Sequence, residues 1–264
     1  MIAIIGAGKM GEALLAGLLA KDHSPADLLV TEPREEHAAE LRARYGIETV
    51  SAVDAAKRAQ TLLLALKPQD MLALLDEIAS HLSEERLLIS VAAGLTTLVL
   101  ESHLPSGVPV VRAMPNTPAL MGRGMTAISG GAHTDPNHLE RAEELLGTVG
   151  EVIRVGEEHM DTVTAISGSG PAYFYFIAET MIEAGVAMGM PRATAQRLVG
   201  QTITGAAAML DGSGEHPVVL REAVTSPGGT TAAALRELER HGVRTAFTDA
   251  IEAARDRSRA LSGN

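Results

Sequence analysis

The stretch MIAIIGAGKMG, residues 1–11, decides how the rest of the chain is read. A five-residue apolar run is followed at once by Gly6-x-Gly8-x-x-Gly11 and then by helix-forming residues. That order predicts a buried strand, a tight turn and a helix. In such a turn the first glycine reverses the chain, the second lets a pyrophosphate approach the backbone, and the third packs helix on strand while the helix N-terminus faces the anion. Ala7, Lys9 and Met10 fill the same loop. The alternative is a glycine turn with no ligand. Glu32, at the end of the second predicted strand and about 20 residues on, favours the dinucleotide reading. An acid there takes the ribose hydroxyls of NAD and repels the extra phosphate of NADP, whereas Arg34 offers that phosphate a partner. Both side chains are also readable as simply solvated, so these two residues leave NAD and NADP open.

Outward from this motif, residues 1–155 alternate short apolar runs with amphipathic segments. Met1–Ile5, Leu28–Thr31, Leu62–Leu66, Leu87–Val91 and Val110–Ala113 read as strands, with a weaker one at Ile47–Val50 and a last pair at Met125–Ser129 and Val152–Val155. Segments 9–21, 34–45 and 68–80 read as helices, and another helix starts after Asp135-Pro136. This predicts an α/β fold, a Rossmann-type doubly wound parallel sheet. Ala65, Leu66, Lys67 and Pro68, then Val91, Ala92 and Ala93, fall at the carboxyl ends of predicted strands, the edge where such sheets bind ligands. Asn116 reads equally as a cofactor contact or as a turn residue. Past Gly156 strands give way to helical stretches at 157–189, 191–211, 217–225 and 230–261. The expected domains are therefore 1–156, which binds a dinucleotide, and an all-helical 157–264.

Composition narrows the function. The formal charge of −11 argues against non-specific binding to nucleic acid or anionic membrane. Zero cysteines exclude disulfides and thiolate chemistry, and the nine histidines show no metal-ligand spacing. No run approaches the ~18 apolar residues of a membrane span, and the start lacks a signal-peptide core, so the expected location is cytoplasmic. SGSGP, residues 167–171, is not a nucleophile elbow, because position 166 is Ile and a helix precedes it. Its glycines are read as a gap in the long helix for the nicotinamide end, with Tyr173–Phe176 packing behind; a kink for helix packing is the alternative.

AVTSPGGTTAAAL, residues 223–235, interrupts good helix formers with a proline and two glycines. Such a turn is either a plain connector or the start of a helix whose amide donors hold a small carboxylate.

Taken together, GAGKMGEAL, ALKPQDM, ISVAAGL, RAMPNTPAL, SGSGPAYFY, GMPRATA and EAVTSPGGTTAAAL resemble, in order and spacing, pyrroline-5-carboxylate reductase over essentially the whole chain. The resemblance implies reduction of a cyclic imine to proline with a nicotinamide cofactor, usually NADPH, with NADH possible. It implies cofactor contacts at Gly6–Gly11, Ala65–Pro68 and Val91–Ala93, and a substrate loop of Val224, Ser226, Gly228, Gly229, Thr230 and Thr231. In that loop amides and Ser226 hold the carboxylate, and Thr231 lies beside the ring nitrogen as the catalytic residue. Glu32 departs from the commoner family pattern. The Ala- and Met-rich helical faces, together with the family, predict a homodimer or a higher, ring-like homo-oligomer.

Two rival readings remain. The β-hydroxyacid and 6-phosphogluconate-type dehydrogenases resemble one another in an active lysine on the first long helix of the second domain, and the only lysines here are Lys9, Lys21, Lys57 and Lys67. A non-catalytic dinucleotide sensor would need the glycine-rich turn but not TSPGGTT.

Overall fold

The computed structural model describes residues 1–262. Eight strands form one sheet in the order β3-β2-β1-β4-β5-β6-β7-β8. They are β1 Ile2–Ile5, β2 Leu28–Thr31, β3 Glu48–Thr49, β4 Thr61–Leu64, β5 Leu87–Ser90, β6 Val110–Met114, β7 Gly124–Gly130 and β8 Gly150–Arg154. The helices of this part are α1 Lys9–Ala20, α2 Glu35–Tyr45, α3 Ala52–Arg58, α4 Pro68–Ile78, α5 Thr97–Ser102, α6 Pro136–Leu146 and α7 Met160–Val163.

β1 to β6 are parallel to their neighbours, whereas β7 runs antiparallel to β6, and β8 is parallel to β7. The reversal departs from the expected all-parallel sheet. Its cause is the short connection: residues 115–123 hold only a 3-10 turn at Thr117–Met121, less than the dozen or so residues of a parallel crossover.

Burial on both faces explains why the strands are apolar without alternation. Ile2 and Ile4 enter a core with Leu14, Leu15 and Leu18 of α1, while Ala3 and Ile5 enter a second core with Ala55 and Ala56 of α3 and Met71 and Leu75 of α4. Leu14, Leu15 and Leu18 are fully buried, each contributing roughly 1.5–3 kcal/mol. α6 begins as its sequence foretells, with Asp135 and His138 forming a reciprocal capping box ahead of Pro136 at the first turn.

Contacts divide the chain into two units, Met1–Ser169 with the chain from Ala254 onward, and Gly170–Ala253. From sequence alone the boundary is expected at 156/157. Residues 157–169 group with the sheet because Met160 and Ala165 are buried, and because Ser258 donates to Asp161 at 2.7 Å.

The second unit is helical: α8 Gly170–Ala187, α9 Arg192–Ser213, α10 Pro217–Ala223, α11 Thr230–Arg240 and the first half of α12 Val243–Ser262. α8 and α9 pack closely at Gly185, where an added Cβ would touch the Ala195 Cβ at 3.4 Å. The helix expected over 230–261 is two helices, broken at Gly242, whose φ is +65°. Among the described residues of 171–253 only Ala195 and Val199 are buried. Phe174, Tyr175, Phe176 and Met188 stand 62–82% exposed, so the aromatic block does not pack into a core within the chain.

Candidate functional site

Six parallel strands bring their carboxyl ends to one edge. Gly6 follows β1, Glu32 and Arg34 follow β2, Ala65–Pro68 follow β4, Val91–Ala93 follow β5, and Asn116 follows β6. The strand order reverses direction between β1 and β4, which makes the β1 turn the crevice of the sheet.

The glycines of this turn have different physical reasons. Gly6 has φ +95°, and a Cβ there would sit 2.8 Å from the Ala65 carbonyl oxygen. A Cβ on Gly11 would sit 2.0 Å from the Gly6 carbonyl oxygen. Gly8 has φ −68° and ψ −173°, open to any residue, and a Cβ there meets nothing within 4 Å. The protein itself gives Gly8 no reason to be glycine. The space above it stays open, over an N-cap without a side-chain cap. Glu12 N donates to Gly8 O at 2.8 Å, so the amides of Lys9, Met10 and Gly11 precede the first intrahelical bond and remain as donors.

Glu32 and Arg34 are not solvated independently. Arg34 donates to Glu32 through its backbone N at 3.0 Å, Nε at 2.8 Å and Nη2 at 3.0 Å. The Glu32 side chain is 3% exposed and that of Arg34 67%. The Arg34 side-chain hydrogen bonds, above all, hold the Glu32 carboxyl below its usual range despite burial.

His37, which the sequence reading did not single out, reaches back to the glycine-rich turn. Its Nε2 donates to the Ala7 carbonyl at 2.9 Å, and this bond, then Glu40, raises its pKa. A histidine in the first turn of α2 carries no sequence signal for such a contact. Lys67 is the exposed N-cap of α4 with Pro68 at its first turn, and Ala92 is buried while Ala93 is exposed.

Asn116 bridges two elements. Its Oδ1 accepts from Met125 N at 2.9 Å, and its Nδ2 donates to Ser167 O at 3.0 Å. Residues Thr164–Gly168 form a π-helical turn closed by Ser169 N to Thr164 O. The interruption expected at SGSGP is therefore a widened turn, and Gly168 lies against Met114, whose Cε would be 2.6 Å from an added Cβ.

The other candidate residues lie in the second unit. Val224 caps the end of α10 and is exposed. Ser226 O accepts from Gly229 N at 3.0 Å, closing a turn in which Gly228 has φ +70°, the left-handed region that favours glycine. A Cβ on Gly229 would collide with Ser226 Oγ at 2.4 Å. Gly229 is the N-cap of α11, without a side-chain cap. The first intrahelical bond runs from Ala233 N to Gly229 O, so the amides of Thr230, Thr231 and Ala232 stay available. Thr231 is partly buried in the first turn of α11, whose N-cap, Gly229, makes no side-chain cap bond.

Comparison with known proteins agrees with both halves of the chain. Residues 157–261 match the family model for pyrroline-5-carboxylate reductase dimerisation, and residues 1–94 that for NADP oxidoreductase, coenzyme F420-dependent. A pyrroline-5-carboxylate reductase of Corynebacterium melassecola is 45% identical, with 98% of each chain covered. Among solved structures, the enzyme of Coxiella burnetii superposes with a TM-score of 0.94 at 35% identity, covering 99% of this chain and 98% of that one. The Plasmodium falciparum pyrroline carboxylate reductase, solved with NADP bound, gives 0.88 at 30% identity, covering 99% and 97%. A sheet that opens its crevice over Gly8, a glycine-built start to α11 and near-full-length relatives at this identity lead to one assignment: the chain belongs to the pyrroline-5-carboxylate reductase family.

Proposed function

We propose that the chain reduces 1-pyrroline-5-carboxylate to L-proline, with NADPH as the preferred cofactor and NADH as the weaker one. The observation that carries this reading is the start of α11, where first-turn amides and the hydroxyl-bearing Ser226, Thr230 and Thr231 stand together in a helical unit without lysine. NADPH supplies a hydride when bound at the crevice of the sheet. The amides of Lys9 to Gly11 and the space over Gly8 suit its pyrophosphate, with Ala65–Pro68 and Val91–Ala93 lining the remainder.

The chain's own task is positioning. The first-turn amides of α11 and Ser226 Oγ hold the substrate carboxylate without a side-chain cation. A cyclic imine arrives as an iminium, so no strong general acid is required. Thr231 Oγ1 accepts the iminium N–H or donates to the amine that forms, and so keeps the C=N carbon turned to the hydride donor. The absence of lysine from residues 157–264 speaks against the β-hydroxyacid dehydrogenase reading.

The same reading includes a homodimer, and a ring of dimers beyond it, in the cytoplasm. Support comes from the exposed faces of α8 and α9, which carry Phe174, Phe176, Met181 and Leu198, and from the exposed Met188 in the turn between them. Within the assembly, the Ser226–Thr231 loop of one copy completes the site of another. No described helix is long and apolar enough to cross a membrane. Parallel kinetics with NADPH and NADH on the same imine test the assignment: a higher kcat/KM with NADPH is expected, and failure to turn over the imine with either cofactor rejects it. Sedimentation tests the assembly, since a fully active monomer contradicts it.

A further inference from the structure

We infer that Arg34 sets cofactor choice in two ways at once: it offers free donors to a ribose 2′-phosphate, and it masks Glu32 from the ribose hydroxyls. This rests on the dinucleotide site proposed above and concerns how its acidic residue is used.

An acid at the end of the second strand grips the ribose by accepting from both hydroxyls, which takes both carboxylate oxygens. In this chain those oxygens are already engaged. Oε1 receives Arg34 N and Nε, at 3.0 and 2.8 Å, and Oε2 receives Nη2 at 3.0 Å. With the side chain only 3% exposed, Glu32 is closed off by its neighbour two residues on. Pro33 between them fixes one backbone angle of the clasp.

The arginine is spent differently. Of the five N–H bonds of a guanidinium, those on Nε and one on Nη2 face Glu32. Those on Nη1 and the second on Nη2 lie on the outer edge of a side chain that is 67% exposed. That edge is a planar fork suited to phosphate. The other charged groups near the clasp on α2 are partly occupied: Glu35 pairs with Arg42, and Glu40 faces His37. The lowered Glu32 pKa agrees with a carboxylate held charged by this clasp. An acidic residue that would select NAD is thereby silenced by the residue that would select NADP. When NAD(H) binds, Arg34 has to swing off Glu32 before the ribose is gripped.

The masking makes a crossed prediction. In the full-length protein, NAD+ and NADP+ affinities are measured by calorimetry for the parent, Arg34→Ala, Arg34→Lys and Glu32→Gln/Arg34→Ala. Unmasking predicts that Arg34→Ala tightens NAD+ by about 2- to 10-fold, the value of one recovered hydrogen bond. The double variant loses that gain. Arg34→Lys keeps the charge without the planar fork and lies between parent and Ala, which preserves the test if the Ala variant is poorly folded. NAD+ affinity that is unchanged or weaker in both single variants overturns the masking, as does a gain that survives in the double variant. The NADP+ arm reads the phosphate role on its own. A loss of NADP+ affinity in Arg34→Ala supports it, whereas unchanged NADP+ affinity overturns that half and leaves the masking judged by NAD+ alone.

Discussion

Replacing Gly8 by alanine separates cofactor binding from folding, because the three glycines of the β1 turn answer to different neighbours. The Gly8 backbone, at φ −68° and ψ −173°, is one any residue adopts, and an added Cβ meets nothing within 4 Å. Alanine restricts the unfolded chain, a gain of ~0.4–1 kcal/mol, and is a poorer N-cap than glycine by about the same amount. The two nearly cancel, so the melting temperature of Gly8→Ala stays near the parent's. Binding does not escape. The methyl group stands in the space over the first-turn amides, and losing one charge-assisted amide bond to phosphate costs ~1.5–3 kcal/mol, about 10- to 150-fold in Kd. Gly6→Ala and Gly11→Ala behave differently. One combines a φ of +95° with a Cβ 2.8 Å from Ala65 O, and the other drives a Cβ to 2.0 Å from Gly6 O, so both lose stability along with binding. The chain has no tryptophan, so NADP+ binding is followed by calorimetry and folding by circular dichroism. Parent-like affinity in Gly8→Ala, or unfolding as severe as in Gly6→Ala, rules out a phosphate seated over Gly8.

Three further outcomes are expected. Thr231→Val lowers kcat/KM by roughly 10- to 1000-fold, or ~1.4–4 kcal/mol, with little change in NADPH affinity or stability, whereas Thr231→Ser stays close to the parent; near-parent turnover in Val makes Thr231 structural. The His37 pKa is raised in the folded chain, first by the Ala7 carbonyl and then by Glu40, so its contribution to stability is complete below the unfolded value of ~6.5 and fades as pH rises through the folded one. Melting of parent and His37→Ala across that window therefore shows the parent's advantage shrinking with rising pH, and a growing advantage contradicts the assignment. Glu157→Ala leaves Arg112, 2% exposed and otherwise paired at 2.5 Å, as an uncompensated buried charge. Urea unfolding registers a loss of ~3 kcal/mol, at the low end for such pairs because the Glu157 side chain keeps 29% exposure, and Arg112→Met with Glu157→Leu restores most of it.

The β1 turn was legible because its constraints are local. Gly6 and Gly11 answer to backbone positions that a strand followed by a helix creates, and the apolar runs at β1, β2, β4, β5 and β6 follow from burial on both faces. The direction of β7 was missed although the sequence carried its signal, the shortness of residues 115–123. The break in the long last helix had a signal too, in Gly242, which ends α11 in the left-handed region. Other features have no local signature. The reach of His37 to Ala7 crosses 30 positions, and that of Asn116 to Ser167 crosses 51, so both depend on which elements the sheet brings together. Glu32 and Arg34 were visible as a conflict between two cofactor preferences. Only the clasp shows that one side chain covers the other.

Hydride transfer to a cyclic imine leaves a label that isotope transfer follows. The protein is supplied with 1-pyrroline-5-carboxylate and NADPH carrying deuterium at the transferable position of the nicotinamide, and the product is analysed by mass and by NMR. Proline with one deuterium at C5 for each NADPH oxidised is expected, with a rate that falls in Thr231→Val but not in Thr231→Ser. NADPH oxidation without labelled proline, or no oxidation while NADPH still binds tightly, contradicts hydride transfer to the imine.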